Sequence, residues 1–150
     1  MKIKYIIVFV LFLISSLQIT GSPHVKTGTV RVSIYSIKSD KGNVLIALYN
    51  SSSTFMCEQK ALQRKVLTIE EGKAIAVFQD VPYGNYAFAV FHDENVNYKL
   101  DKTLVGVPKE GYGFSNNAQG TFGPPSFDKS QFTLNSINYQ TVIRLQYFFR

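Results

Sequence analysis

From residue 28 onward the chain alternates apolar and polar positions in short runs broken by turn residues. Val30, Val32 and Ile34 alternate with Arg31, Ser33 and Tyr35, the period of a half-buried strand. Asp40-Lys41-Gly42-Asn43 is a turn. Val44 to Tyr49 is apolar on both faces, as expected of a central strand covered on both sides. Ser51-Ser52-Ser53 marks a loop, after which Thr54 is placed to cap a short helical turn through Ala61. Leu62 to Ile69 reads as a strand. Glu70-Glu71-Gly72 turns it into Lys73–Gln79, where Ala74, Ala76 and Phe78 oppose Ile75 and Val77.

Val81-Pro82-Tyr83-Gly84 has proline at the second position of a turn. Tyr86, Phe88 and Val90 then share one face of a strand, with Ala87, Ala89 and Phe91 on the other. The small alanines leave room for another layer to come close. Residues 92–128 are rich in Asp, Asn, Gly, Pro and Ser, with one short strand expected at Thr103–Val107. Strands at Gln131–Leu134 and Tyr139–Phe148 close the chain, the last with Tyr139, Thr141, Ile143, Leu145 and Tyr147 on one side and Gln140, Arg144 and Gln146 on the other. Short strands at regular spacing without a long helix predict an all-β chain, a single antiparallel β-sandwich of about seven to eight strands in the immunoglobulin-like or transthyretin-like manner.

The N-terminus has a different pattern. Lys2 and Lys4 precede an unbroken apolar run from Tyr5 to Ile14, and Ser15, Ser16, Thr20, Gly21 and Ser22 follow. Charge, apolar core and small residues in that order predict a secretory signal peptide over residues 1–22. The run is too short for a membrane span, which needs about 20 residues. No cysteine follows it, so lipid anchoring there is disfavoured. The sandwich domain is then 23–150, enough for one core and too few for two. No transmembrane span is expected after cleavage.

The single cysteine, Cys57, cannot form an internal disulfide and reads as a small buried apolar residue. Export without disulfides fits a bacterial periplasm or the cell exterior. The formal charge of +6 is scattered singly rather than clustered, which argues against nucleic acid and leaves weak attraction to anionic glycans or lipid headgroups.

The segment His92 to Asp101 carries the most specific chemistry. Asp93, Asn95 and Asn97 stand at alternate positions and Asp101 follows at the ninth, an arrangement that presents oxygens to a hard cation with the Lys99 backbone carbonyl as a further donor. Calcium is the candidate cofactor. An EF-hand it is not, because Tyr98 stands where that loop needs glycine and Leu104 where it needs a bidentate glutamate. The same residues also make ordinary Asx turns. A second segment, Glu110 to Phe127, alternates glycines with aromatics. Tyr112, Phe114, Asn116, Asn117 and Phe122 are its candidate ligand or partner residues, and self-packing of a long loop is the competing reading. It lacks the Gly-Lys-Ser/Thr of a phosphate loop. His92, Asp93 and Ser115 can be drawn as a hydrolytic triad, but no nucleophile elbow supports it, and neighbouring strand residues point to opposite faces. Zinc lacks soft ligands beyond His92 and Cys57.

Gly84-Asn85-Tyr86-Ala87-Phe88-Ala89-Val90-Phe91-His92-Asp93-Glu94-Asn95, Lys99-Leu100-Asp101, Gly106-Val107-Pro108, Glu110 to Ala118 and Phe122 to Phe127, with Gly42-Asn43-Val44, Ala47-Leu48-Tyr49 and Phe78 to Pro82, resemble the DUF2141 family of exported bacterial proteins over residues 28–146. The resemblance implies a periplasmic or secreted β-sandwich in the style of transthyretin-like and carboxypeptidase-regulatory-like modules, with no activity to carry over. That family usually shows Asp-Glu-Asn-Gly-Asn-Gly in the oxygen-rich loop; here Val96 and Tyr98 replace both glycines. The expected function is a non-enzymatic binding or interaction module of the envelope, with a protein or glycan as partner. The alternatives are a calcium-stabilised structural domain built on Asp93–Asp101 and a small hydrolase using His92 and Asp93.

Overall fold

The alternating segments fold as β1 (Thr27–Tyr35), β2 (Asn43–Tyr49), β3 (Gln63–Leu67), β4 (Ala74–Pro82), β5 (Gly84–Asp93), β6 (Tyr112–Phe114), β7 (Phe132–Leu134) and β8 (Asn138–Arg144), with 3-10 turns at Glu58–Lys60 and Ser115–Asn117 and one α-helical turn, α1 (Phe127–Ser130). The computed structural model describes residues 25–149, and the signal peptide expected over 1–22 lies outside them. Strands β4, β1 and β8 form a three-stranded sheet in that order. A five-stranded sheet runs β3, β2, β5, β6, with β7 also paired to β5.

The sheets pack face to face over a single core. Val30, Val32 and Ile34 of β1 and Ala74, Ala76 and Phe78 of β4 meet Val44, Ile46 and Leu48 of β2 and Tyr86, Phe88 and Val90 of β5. Each set is one face of an alternating strand, so the sequence period decides which side is buried. Phe78 and Phe88 lie 5.2 Å apart at the centre, and Phe132 stacks on Phe88 at 5.3 Å. All these core residues fall between Val30 and Leu145.

The sandwich is not wholly antiparallel. β8 pairs with β1 in parallel, from Thr29 with Asn138 to Tyr35 with Arg144. The reason is a matter of direction. β6 and β7 both run antiparallel to β5, pairing Ala89–Phe91 and Gly84–Tyr86 respectively. They are two pieces of one return path, interrupted by residues 115–131, so the next reversal sends β8 the same way as β1.

Other expectations also change. Residues 103–107 form no strand: Thr103 N–H donates to the Val107 carbonyl at 2.8 Å, closing a tight turn above a single bridge between Lys102 and Pro108. Val81–Gly84 is a corner between sheets rather than a proline turn, since β4 continues through Pro82 and Tyr83 N–H bonds the Lys26 carbonyl at 2.9 Å. Thr54 does not cap the helical turn expected through Ala61: that turn is Glu58–Lys60, entered from Cys57 without a side-chain cap, and before it the Ser51 carbonyl accepts from Phe55 N–H at 3.1 Å. Cys57 is only partly buried, because Phe55 takes the inward place in that loop, edge-on to Tyr49 at 5.4 Å and to Phe127 at 5.8 Å. The closing strand ends at Arg144, and the chain bends so that Gln146 bridges Tyr112.

Candidate functional site

The outer face of the five-stranded sheet carries two cross-strand rows, fixed by register. One row is Arg64, Ala47, Ala89 and Phe114; the other is Val66, Leu45, Phe91 and Tyr112. The second row is apolar from edge to edge, and Val66 is 52% exposed. Near the lower end, where β2 finishes at Tyr49, the face is roofed: Phe127 and Phe55 pack on Tyr49, Ala87 and the flanking Ala47 and Ala89. This is the close-lying layer that the alanines of β5 allow. Further up the face is open, leaving a groove of about 760 Å³ floored by Leu45, Ala47, Ala89 and Phe91.

The two ends of the groove differ. Met56, Glu58 and Arg64 stand at the lower end, where Arg64 Nη1 lies 3.2 Å from Glu58 Oε1 and is balanced by it. Tyr98, Lys99, Leu100 and Lys102 form the upper wall, and both lysines are exposed. The upper end therefore has positive charge without a paired acid among the described ion pairs. Tyr49, at the lower end, has its hydroxyl pKa raised by burial first and by Glu58 next.

The upper wall takes its shape from the oxygen-rich loop. Asp93 is fully buried and accepts from Asn97 N–H at 3.0 Å and Tyr98 N–H at 2.8 Å. Asn95 and Asn97 donate their side-chain amides to Asp101 at 2.8 and 3.2 Å. Asn97 Oδ1 accepts from Lys99 N–H at 2.8 Å. So Asp93, Asn95, Asn97 and Asp101 are brought into one loop, and their oxygens meet N–H groups in an interlocked series of Asx turns. Glu110, which the sequence left unassigned, is a second anchor: buried, it accepts from Glu94 N–H at 3.0 Å and Asp101 N–H at 2.9 Å. Among the described residues no group of three His, Cys, Asp or Glu side chains is arranged to hold a metal ion.

Val96 and Tyr98 have φ of 58° and 62°, the left-handed region that glycine favours. The loop thus carries side chains at two positions where its backbone takes a conformation that glycine favours. Gly42 packs beneath it at φ 73°, and a β-carbon on it would meet the Asp93 carbonyl at 1.9 Å.

The residues drawn as a triad do different work. His92, fully buried, has Nε2 at 2.7 Å from the Lys41 carbonyl and Nδ1 at 2.8 Å from the Tyr147 hydroxyl. Asp93 points the other way, into its own loop. Ser115 Oγ accepts from Phe88 N–H at 2.9 Å and donates to the Ser130 carbonyl, joining β5 to α1. Each side chain serves a structural partner rather than the other two.

The glycine-aromatic segment divides similarly. Asn116 Nδ2 donates to the Gln131 carbonyl at 2.7 Å, and Asn117 Oδ1 accepts from Arg144 N–H at 2.8 Å. Both tie the loop down. Tyr112 stacks on Phe148 at 6.1 Å, with its hydroxyl pKa raised by burial. Phe114 reaches the groove, and Phe122 is fully exposed. Sequence reading missed Leu45, Arg64, Lys99 and Lys102 as groove residues. Only the register of strands distant in sequence brings them together, though the two-sided apolar character of Val44–Tyr49 was a partial signal.

A family model for an uncharacterized protein conserved in bacteria (DUF2141) matches residues 32–142. Neither the curated proteins nor the solved structures give a match.

Proposed function

We propose, for a chain that belongs to the DUF2141 family of bacterial proteins, a non-enzymatic binding role in the cell envelope, with the ligand held on the outer face of the five-stranded sheet. The observation that carries this is the groove itself: an apolar floor of Leu45, Ala47, Ala89 and Phe91 leading to exposed Lys99 and Lys102. Such a site suits a ligand with an apolar body and an anionic end. Burial of the body supplies affinity and the lysines set orientation. The N-terminal order of charge, apolar run and small residues supports export.

The test is calorimetric titration of residues 23–150 with dodecanoate, dodecanol and dodecyltrimethylammonium below their micelle concentrations. Saturable binding in the order anion, alcohol, cation is expected. Equal affinity for all three, or no binding, removes this reading.

A calcium-stabilised domain is the second reading, favoured by the gathering of Asp93, Asn95, Asn97 and Asp101 in one loop. Their engagement with N–H donors weighs against it. A hydrolase using His92 and Asp93 has no support from the partners these side chains keep.

A further inference from the structure

The turn between Asp101 and Glu110 holds its tip in an unusual way. Leu104 and Val105 are 108% and 85% exposed, side by side at the apex. An isolated exposed aliphatic residue is ordinary, but an adjacent pair on a tied-down turn is less so. The turn is tied by Thr103 N–H to the Val107 carbonyl at 2.8 Å, Gly106 N–H to the Thr103 carbonyl at 2.9 Å, Val107 N–H to Thr103 Oγ1 at 3.1 Å and Lys109 N–H to the Asp101 carbonyl at 2.8 Å. The backbone is thus fixed while the two side chains face water.

The charge around this tip has one sign. Lys102 and Lys109 flank it, both exposed, and Lys99 precedes it. No acidic residue lies between Lys102 and Lys109. The acids at the base are turned away: Asp101 accepts from the Asn95 and Asn97 side-chain amides, and Glu110 is buried on the Glu94 and Asp101 amides.

We infer that this turn is a membrane-docking tip, with Leu104 and Val105 entering the interfacial layer of an anionic phospholipid bilayer while Lys102, Lys109 and Lys99 meet its phosphates. Two aliphatic side chains alone are a marginal anchor, and stable attachment takes a second signal, which a basic ring supplies. A projecting tip fits a deformable lipid surface; a protein partner would need an acidic socket shaped to it. Among the described residues no helix is long and apolar enough to cross a membrane, so attachment through this turn would be peripheral. The apolar anchor of this tip is separate from the groove. Leu104, Val105 and Lys109 do not line the groove, whereas Lys99 and Lys102 belong to both surfaces.

The test is sedimentation of residues 23–150 with vesicles of phosphatidylcholine alone or mixed equally with phosphatidylglycerol. Binding to the mixed vesicles only, weakening as salt rises, is expected. Leu104→Asp with Val105→Asp should lower it by about tenfold or more. Lys109→Ala should lower it by about fivefold. Val142→Gln, on the exposed side of β8 in the other sheet, should leave it unchanged. The protein has no tryptophan, so Leu104→Trp gives a lone indole. Its emission should shift to the blue with the mixed vesicles. Absence of binding to the mixed vesicles, binding that survives the double aspartate variant, or an indole emission that does not move would each overturn the inference. Loss of dodecanoate binding with vesicle binding intact would count against the groove alone.

Discussion

His92 Nδ1 and the Tyr147 hydroxyl, 55 positions apart in the chain, lie 2.8 Å from each other inside the upper end of the sandwich. The partners fix who donates. The Lys41 carbonyl can only accept, so Nε2 carries a proton; in the neutral ring Nδ1 then accepts from the Tyr147 O–H. The tyrosine oxygen in turn accepts from Lys38 N–H at 3.1 Å. One hydroxyl thus ties β5, the turn after β1 and the C-terminal segment together.

Tyr147→Phe leaves the buried Nδ1 without its donor and frees Lys38 N–H. A lost buried partner costs about 1–3 kcal/mol, so the melting temperature should fall by several degrees. A melt of the variant against wild type at neutral pH checks this. No change would mean that water replaces the hydroxyl.

Alkaline pH should weaken the fold. Tyr49, Tyr86, Tyr112, Tyr139 and Tyr147 all have pKa values raised above 10.0, chiefly by burial. The unfolded chain releases these protons near 10.0 and the folded chain releases them later. Their contribution is therefore complete below that pH and is lost as pH rises through the folded values. The Tyr86 hydroxyl also donates to the Pro82 carbonyl at 2.7 Å, a bond that ionisation removes. Urea midpoints measured from neutral pH upward should decline beyond about pH 10, and less steeply in Tyr86→Phe.

Much of this architecture is legible in the sequence, and the failures have a common physical cause. Alternation in Val30–Ile34 and Tyr86–Val90 identifies the inner faces because burial of one strand face is a local pattern. Ala87 and Ala89 forecast the layer that Phe55 and Phe127 supply. The parallel β1–β8 pairing was missed because it depends on two short strands acting as one return path. The groove was missed because Val66, Leu45, Phe91 and Tyr112 become a row only through registers between distant segments. Asp93–Asp101 was recognised as one unit, but local composition does not distinguish oxygens turned toward a cation from oxygens turned toward amides.

Placing glycine at position 96 should stabilise the protein. Val96 sits at φ 58°, and a left-handed conformation costs a β-branched residue roughly 1–2 kcal/mol. Glycine returns about half of that through its more flexible unfolded chain. Val96→Gly should therefore gain about 0.5–1 kcal/mol in denaturant unfolding. Val96→Ala, which keeps a β-carbon, should gain less. A loss on Val96→Gly would show that the half-exposed valine contributes packing that outweighs its strain.

Calcium should not change the melting temperature. The Asp93 oxygens are already engaged by the Asn97 and Tyr98 amides, and Asp101 by two side-chain amides. A cation would have to displace these bonds before gaining its own. A melt of chelated protein with millimolar calcium, and magnesium as control, tests this. A site occupied at a hundredfold excess over Kd would add about 2.7 kcal/mol, a shift of several degrees that such a melt resolves. If a rise appears and Asp101→Ala abolishes it, the loop rearranges around metal and the second functional reading gains.

Leu45 is the position at which groove and fold separate best. It lies mid-row between Val66 and Phe91, on the face turned away from the sandwich core, and is partly exposed. A carboxylate there can remain hydrated, so Leu45→Glu should change stability by no more than about 1 kcal/mol. For a dodecanoate in the groove the same change removes apolar floor and adds a like charge. Affinity should fall by at least about tenfold, equivalent to 1.4 kcal/mol. Lys99→Ala should reduce affinity for the anion and spare dodecanol, because the lysine acts on the charged end alone. Val142→Glu, on the exposed side of β8 in the other sheet, provides the control and should bind as wild type. Leu45→Glu binding with unchanged affinity would place the ligand elsewhere; a loss shared by Val142→Glu would show that net charge, not the groove, governs binding.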